Sequence, residues 1–162
     1  MYKLIIVRHA SASWNPVYES DFDRPLKKDG ISDTSLISEY LLRKNFLPDH
    51  IISSTAVRTT ETAEQIIKKI NYKNKFETID EIYNSTYQNL IKCISKVNNK
   101  YKNLMLVGHN PSVTEVINYF CNNARIDNVP TCGVAIINFE FKWEKIKSDG
   151  MLIDFIYPQQ LK

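Results

Sequence analysis

The sequence is sparing with glycine, which supplies only four of its 162 residues. It has no low-complexity segment, no internal repeat and no stretch that reads as a linker between domains. A single domain spanning 1–162 is therefore expected, long enough to bury a sizeable core. Cysteine is also scarce. Cys93, Cys121 and Cys132 are odd in number and show no CxxC spacing, so free thiols in a reducing cytoplasm are expected and a catalytic thiolate is not. Only three histidines occur, and no two are spaced as metal ligands in an HExxH pattern, so neither a metal nor a cofactor is expected. The formal charge is +3, with lysines scattered among acids. That pattern describes a solvated surface, and it offers no basic stripe for nucleic acid. Apolar runs are far shorter than the roughly 20 residues of a membrane span. The N-terminus enters a strand-like run with no signal-peptide pattern, so a soluble cytoplasmic protein is the expectation.

What is present is an alternation of short apolar runs with helix-like stripes. Leu4–Val7, His50–Ser53, Phe76–Ile79 and Leu104–Val107 read as strands. Gly30 to about Asn45 carries Ile31, Leu36, Ile37, Tyr40, Leu41 and Leu42 as a helical stripe, broken before Pro48. Thr59–Ile70, Leu90–Val97 and a segment opened by Pro111 read as further helices. Ser11–Lys28, holding Pro16, Pro25 and several acids, reads as a loop. Gly133–Phe141 and Met151–Tyr157 read as an antiparallel pair. The fold class that follows is a three-layer α/β/α sandwich, with a mostly parallel central sheet and an antiparallel edge.

Two of the strand-like runs end in histidine. Arg8-His9-Ala10 follows the first, and Gly108-His109-Asn110-Pro111 ends another. Arg58 sits where the second strand gives way to a helix, in Ser53-Ser54-Thr55-Ala56-Val57-Arg58. Strand exits are where open α/β sheets collect ligands, and a helix start favours an anion. A neutral imidazole is a competent nucleophile toward phosphorus. Neighbouring arginines lower a histidine pKa, and an acceptor on the second ring nitrogen fixes the tautomer. Forked guanidinium donors match phosphoryl oxygens, and His109 is placed to donate where charge builds in the transition state.

The residues together resemble the histidine phosphatase superfamily, whose fold is phosphoglycerate mutase-like. Its Arg-His-Gly motif appears as Arg8-His9-Ala10, its Ser-Ser-x-x-x-Arg-x-x-x-Thr-Ala element as Ser53-Ser54 through Arg58 to Thr62-Ala63, and its Gly-His element as Gly108-His109. Ala10 in place of glycine, Asp23-Arg24-Pro25-Leu26 followed by Gly30, and Asn110-Pro111 make it most similar to the small SixA-type phosphohistidine phosphatases. The resemblance implies that His9 is the nucleophile and that Arg8, Arg58 and His109 hold the phosphate. It further implies a phosphohistidine-bearing protein as partner and inorganic phosphate as product. The alternatives are a small phosphate ester as substrate, or a phosphate-binding module without turnover. The short interval Asn71–Lys102 leaves little room for the helical subdomain of larger relatives, which implies an open site and argues against a mutase.

Other residues are weaker candidates. Glu81 falls where relatives carry a proton donor, with Asp21 and Asp23 as competitors. A phosphohistidine leaving group is an imidazole, easily expelled, so little acid help is needed. Asn15, after Trp14, and Ser13 are candidate phosphate contacts, with Ser53 and Thr55 behind them. Asp23-Arg24 is expected to anchor its loop, His50 to pack at the surface, and Tyr83, Tyr87 and Tyr119 mostly to fill the core.

Overall fold

Leu4, Ile5, Ile6 and Val7 are all completely buried, so the first strand has apolar neighbours on both faces. That is the signature of a central strand in a covered sheet. The computed structural model describes residues 1–15, 17 and 20–162. Its elements are β1 (Tyr2–Arg8), α1 (Lys28–Lys44), β2 (His50–Ser54), α2 (Val57–Ile70), β3 (Glu77–Ile79), α3 (Tyr87–Ser95), β4 (Asn103–Gly108), α4 (Ser112–Phe120), β5 (Val134–Phe139) and β6 (Met151–Ile156). The six strands form one sheet in the order β3-β2-β4-β1-β5-β6. The first four are parallel, and β5 and β6 add the antiparallel edge.

The sheet separates two cores. On one face Ile5, Val7, Ile51, Met105 and Val107 meet Ile37 and Leu41 of α1 and Ala63 and Ile66 of α2. On the other, Leu4, Ile6, Ile52, Leu104 and Leu106 meet Leu90 and Ile94 of α3 and Val113, Val116, Ile117 and Phe120 of α4. Alternate residues of each parallel strand thus serve opposite layers.

The helical stripe expected for α1 is rotated from the observed one. Ile31 and Leu42 are exposed, whereas Asp33, Thr34 and Ser38 are buried. Thr34 and Ser38 satisfy their hydroxyls on the helix itself, donating to the carbonyls of Ile31 and Thr34. Asp33 is paired with Lys162 at 3.1 Å. The start of the helix is pressed against the loop after β1. A Cβ at Gly30 would lie 2.2 Å from the Ser11 carbonyl oxygen, so only glycine permits the approach.

Within Ser11–Lys28 the described residues form an isolated bridge between Ala12 and Leu26. Pro16, one of the prolines taken to keep the segment a loop, lies outside the described residues. α3 begins three residues earlier than its apolar pattern indicates, because Thr86 caps it by accepting the Asn89 N–H at 3.2 Å. Asparagine does what glycine often does elsewhere: Asn45 and Asn71 take the left-handed conformation that ends α1 and α2. Among the described residues, no helix is long and apolar enough to cross a membrane.

Candidate active site

β1 and β4 are parallel neighbours with Arg8 opposite Gly108, so the residues following them emerge side by side. The His9 N–H donates to the Gly108 carbonyl at 3.0 Å, and the Cys132 N–H donates to the His9 carbonyl at 2.9 Å. The His9 and His109 rings lie with centroids 5.3 Å apart. α2 contributes Arg58 from its first turn, and β1 contributes Arg8 from its last residue. The structure thus brings His9, Arg8, Arg58 and His109 to one end of the sheet.

Each member is held by its own partners. His9 Nδ1 lies 2.8 Å from the Ala10 carbonyl, which can only accept, so Nδ1 carries the proton and Nε2 the free lone pair. Ala10 is fixed in turn, its N–H donating to Thr62 Oγ1 at 3.0 Å. Arg8 Nη1 donates to the Val129 carbonyl at 2.9 Å. That carbonyl also accepts from the side chain of Asn110, so the residue after His109 steadies the loop that orients Arg8. His109 Nε2 lies 2.8 Å from Ser54 Oγ. Arg58 Nη1 donates to the Asp21 carbonyl at 2.6 Å, and Nη2 meets the Asp21 carboxylate at 3.2 Å.

What is left over points to an anion. Arg8 Nε, Arg58 Nε and His109 Nδ1 are buried and have no hydrogen-bond partner among the described residues. Two cationic donors and an imidazole nitrogen without partners are costly in a folded protein unless a ligand uses them. Both imidazoles are held neutral. Burial pushes His9 down to about 4, with Arg58, Arg8 and Arg24 adding to the effect and the Ala10 hydrogen bond opposing it. Burial pushes His109 down to about 3, with Arg58 next in importance. The arginines therefore act as expected, but desolvation is the larger cause for both rings.

The carboxylates sort differently from the sequence expectation. Glu81 is exposed and lines a separate cleft with Glu77, Ile79, Asn89, Lys92 and Cys93. Neither His9 nor His109 lines that cleft. The carboxylate that does join them is Asp21, which borders the cleft of about 460 Å³ containing Arg58, His109, Asn84 and Ser85. Tyr83 donates its hydroxyl to Asp21 Oδ2 at 2.7 Å and turns a ring edge to His109. The Tyr83 hydroxyl, then the Arg24 and Arg58 guanidiniums, hold the Asp21 carboxyl down at about 2. Asp21 is therefore ionised at neutral pH.

The remaining candidates make local contacts. The Asn15 side chain accepts the Val17 N–H, and Asn15 itself is exposed. Ser13 is tied by its backbone, its N–H to Pro25 and its carbonyl to Arg24 Nε. Arg24 also stacks on Trp14 at 4.5 Å, and Asp23 closes a local turn with Ser20, so the pair shapes the loop. Ser53 donates to the Ser54 carbonyl. His50 pairs with Glu77 and stacks on Tyr101. Ser54, Thr62 and Tyr83 were not singled out for roles at the site; Ser54 and Thr62 were present only as letters of the second motif. Among the described residues, no group of three His, Cys, Asp or Glu side chains is gathered as a metal site.

Residues 4–111 match the histidine phosphatase superfamily, branch 1. The chain belongs to that superfamily. Over 97% of its length and 98% of the other chain, this histidine phosphatase superposes on a candidate phosphohistidine phosphatase SixA from Agrobacterium tumefaciens, with TM-score 0.84 and 28% identity. A protein histidine phosphatase SixA solved with tungstate shares the fold at TM-score 0.86, with 19% identity and 99% of each chain covered. In sequence, an uncharacterised chloroplastic protein of Arabidopsis thaliana is 30% identical over 88% of this chain and 69% of its own. Phosphoserine phosphatase 1 of Hydrogenobacter thermophilus is 35% identical over 62% of this chain and 47% of its own. The phosphatase is of the SixA type, in agreement with Ala10 and the short central segment.

Proposed function

We propose that this phosphatase removes the phosphoryl group from protein phosphohistidine in two transfers through His9. One observation carries the reading. The His9 Nδ1–H is locked on the Ala10 carbonyl, which leaves Nε2 as a lone pair among the unpartnered nitrogens of Arg8, Arg58 and His109.

In the first transfer, His9 Nε2 attacks phosphorus, the N–P bond forms, and the bond to the leaving imidazole of the substrate breaks. The electron pair stays on the leaving nitrogen, which takes a proton from solvent. In the second, water attacks the phosphoryl group on His9, the N–P bond breaks, the water's proton is lost, and inorganic phosphate leaves. Arg8 and Arg58 supply fixed positive charge to the phosphoryl oxygens in both transfers, in a buried setting where it counts for more than in water. That charge serves the reaction without a metal ion. Asp21, ionised, orients Arg58 and does not act as the proton donor in the unliganded enzyme. An imidazole leaving group suits a site whose neighbouring carboxylate, Asp21, is already ionised. The three free, buried cysteines accord with a reducing compartment such as the cytoplasm.

A small phosphate monoester is the second reading, favoured by the similarity to a phosphoserine phosphatase. Parallel turnover of a histidine-phosphorylated protein, aryl phosphates and a panel of phosphorylated metabolites, with His9→Ala as control, separates the two. The expected result is that the phosphohistidine protein has the highest kcat/KM. A metabolite turned over far faster would replace the leading reading, and no turnover of any substrate would reduce the site to a binding module.

A further inference from the structure

The hydrogens around Ser54 decide what His109 offers to a phosphoryl group. Ser54 is completely buried at the C-terminal end of β2, and its Oγ has two neighbours: the Ala56 N–H at 3.3 Å and His109 Nε2 at 2.8 Å. A serine hydroxyl has one hydrogen to donate and two lone pairs. The Ala56 amide can only donate, so it occupies a lone pair.

Two arrangements then remain. If His109 carries its proton on Nε2 and donates to Ser54, the serine hydrogen has no acceptor in a fully buried position. The His109 Nδ1 lone pair, on a buried nitrogen without a partner, would also go unused. If Ser54 donates to Nε2 instead, every group on the serine is used. His109 then carries its proton on Nδ1, the nitrogen without a partner. The first arrangement leaves two buried groups unmade, the serine hydrogen and the Nδ1 lone pair, whereas the second leaves only the Nδ1–H, which a phosphoryl oxygen can accept. One unmade buried group costs about 1–3 kcal/mol, enough to favour the second arrangement.

We infer that Ser54 is a positioning residue that sets the tautomer of His109, so that a neutral His109 presents Nδ1–H to the phosphoryl oxygens. The inference rests on the reading of His109 as part of the phosphate site. The logic mirrors that at His9, with the opposite result. The Ala10 carbonyl, an acceptor, puts the His9 proton on Nδ1 and frees Nε2 to attack. Ser54, a donor to Nε2, puts the His109 proton on Nδ1 and makes that atom the donor. Two neutral imidazoles side by side thus receive complementary jobs from one hydrogen bond each.

Nitrogen-15 spectra of the imidazoles in the full chain at neutral pH read the tautomer directly. The wild-type protein is expected to show His109 protonated on Nδ1, with that N–H signal shifting when inorganic phosphate is added. Ser54→Ala is expected to move His109 toward the Nε2–H form. It is also expected to lower kcat about 10–100-fold with little change in KM, as for loss of one transition-state donor. Ser54→Thr, which keeps the hydroxyl, is expected to retain the wild-type tautomer. A wild-type His109 protonated on Nε2 would overturn the inference, whether or not the variants fold. So would Ser54→Ala with an unchanged tautomer. Absence of phosphatase turnover in the wild type would instead count against the functional reading, and leaves the tautomer measurement as it stands.

Discussion

Thr62 Oγ1 accepts the Ala10 N–H at 3.0 Å while donating to the Arg58 carbonyl at 2.6 Å, so one hydroxyl ties the loop that follows His9 to the helix that carries Arg58. Thr62 and Ala10 are both completely buried. In Thr62→Val the buried Ala10 amide loses its acceptor at nearly unchanged volume, which should cost about 1–3 kcal/mol of stability. Because Ala10 also fixes the His9 tautomer, activity should fall along with stability. Thr62→Ser should preserve both. Urea unfolding and steady-state kinetics on the same preparations check this. A Val variant with wild-type stability and turnover would show that the tie is dispensable.

Asp21, and not Glu81, is the carboxylate connected to Arg58. Glu81→Gln should leave turnover of an aryl phosphate and of a phosphohistidine protein within about twofold, as for an exposed substitution away from the site. Asp21→Asn removes the charge that orients Arg58 and should lower kcat/KM about tenfold, in line with a lost charge-assisted hydrogen bond. If Glu81→Gln slowed the ester strongly while Asp21→Asn did not, the assignment would be reversed.

The two site histidines also make stability depend on pH. Their folded values, about 4 for His9 and about 3 for His109, lie below the ordinary value of 6.5. In the unfolded chain both bind protons as pH falls below that value, while the folded chain does not. Stability should therefore be fully present above about pH 6.5 and drop as pH falls from there toward 4. The loss should be on the order of a few kcal/mol. Urea midpoints measured between pH 7 and pH 4 test the sign. The double variant His9→Gln, His109→Gln should flatten the curve, and an equal slope in the variant would place the effect elsewhere.

Much of the site was legible because it lies on strand exits. Leu4–Val7 and Leu104–Val107 read as strands, and their following letters Arg8-His9 and Gly108-His109 therefore fall on one rim. Which of the three candidate carboxylates, Glu81, Asp21 or Asp23, meets Arg58 was not legible, for a local reason. After Ile79 the chain makes a tight turn over Asp80–Ile82 that buries Ile82, turns Glu81 outward and returns Tyr83 toward Asp21. No periodicity signals such a turn, so position along the chain alone pointed to Glu81. The α1 stripe misled for a different reason: Asp33 and Thr34 are buried although polar, paired with Lys162 and with the Ile31 carbonyl, and no apolar period marks either position. Ser54 and Thr62 were visible as motif letters, but their roles are hydrogen-bond geometry, which only the folded chain supplies.

The central claim is that the phosphoryl group passes through His9. Mixing the enzyme with a radiolabelled histidine-phosphorylated protein, quenching under alkaline conditions within the first turnover and mapping the label by mass spectrometry tests it most directly. The account predicts label on His9 that appears and decays at rates compatible with turnover, and none in His9→Ala. Turnover with no label on His9, or turnover that survives in His9→Ala, would contradict it.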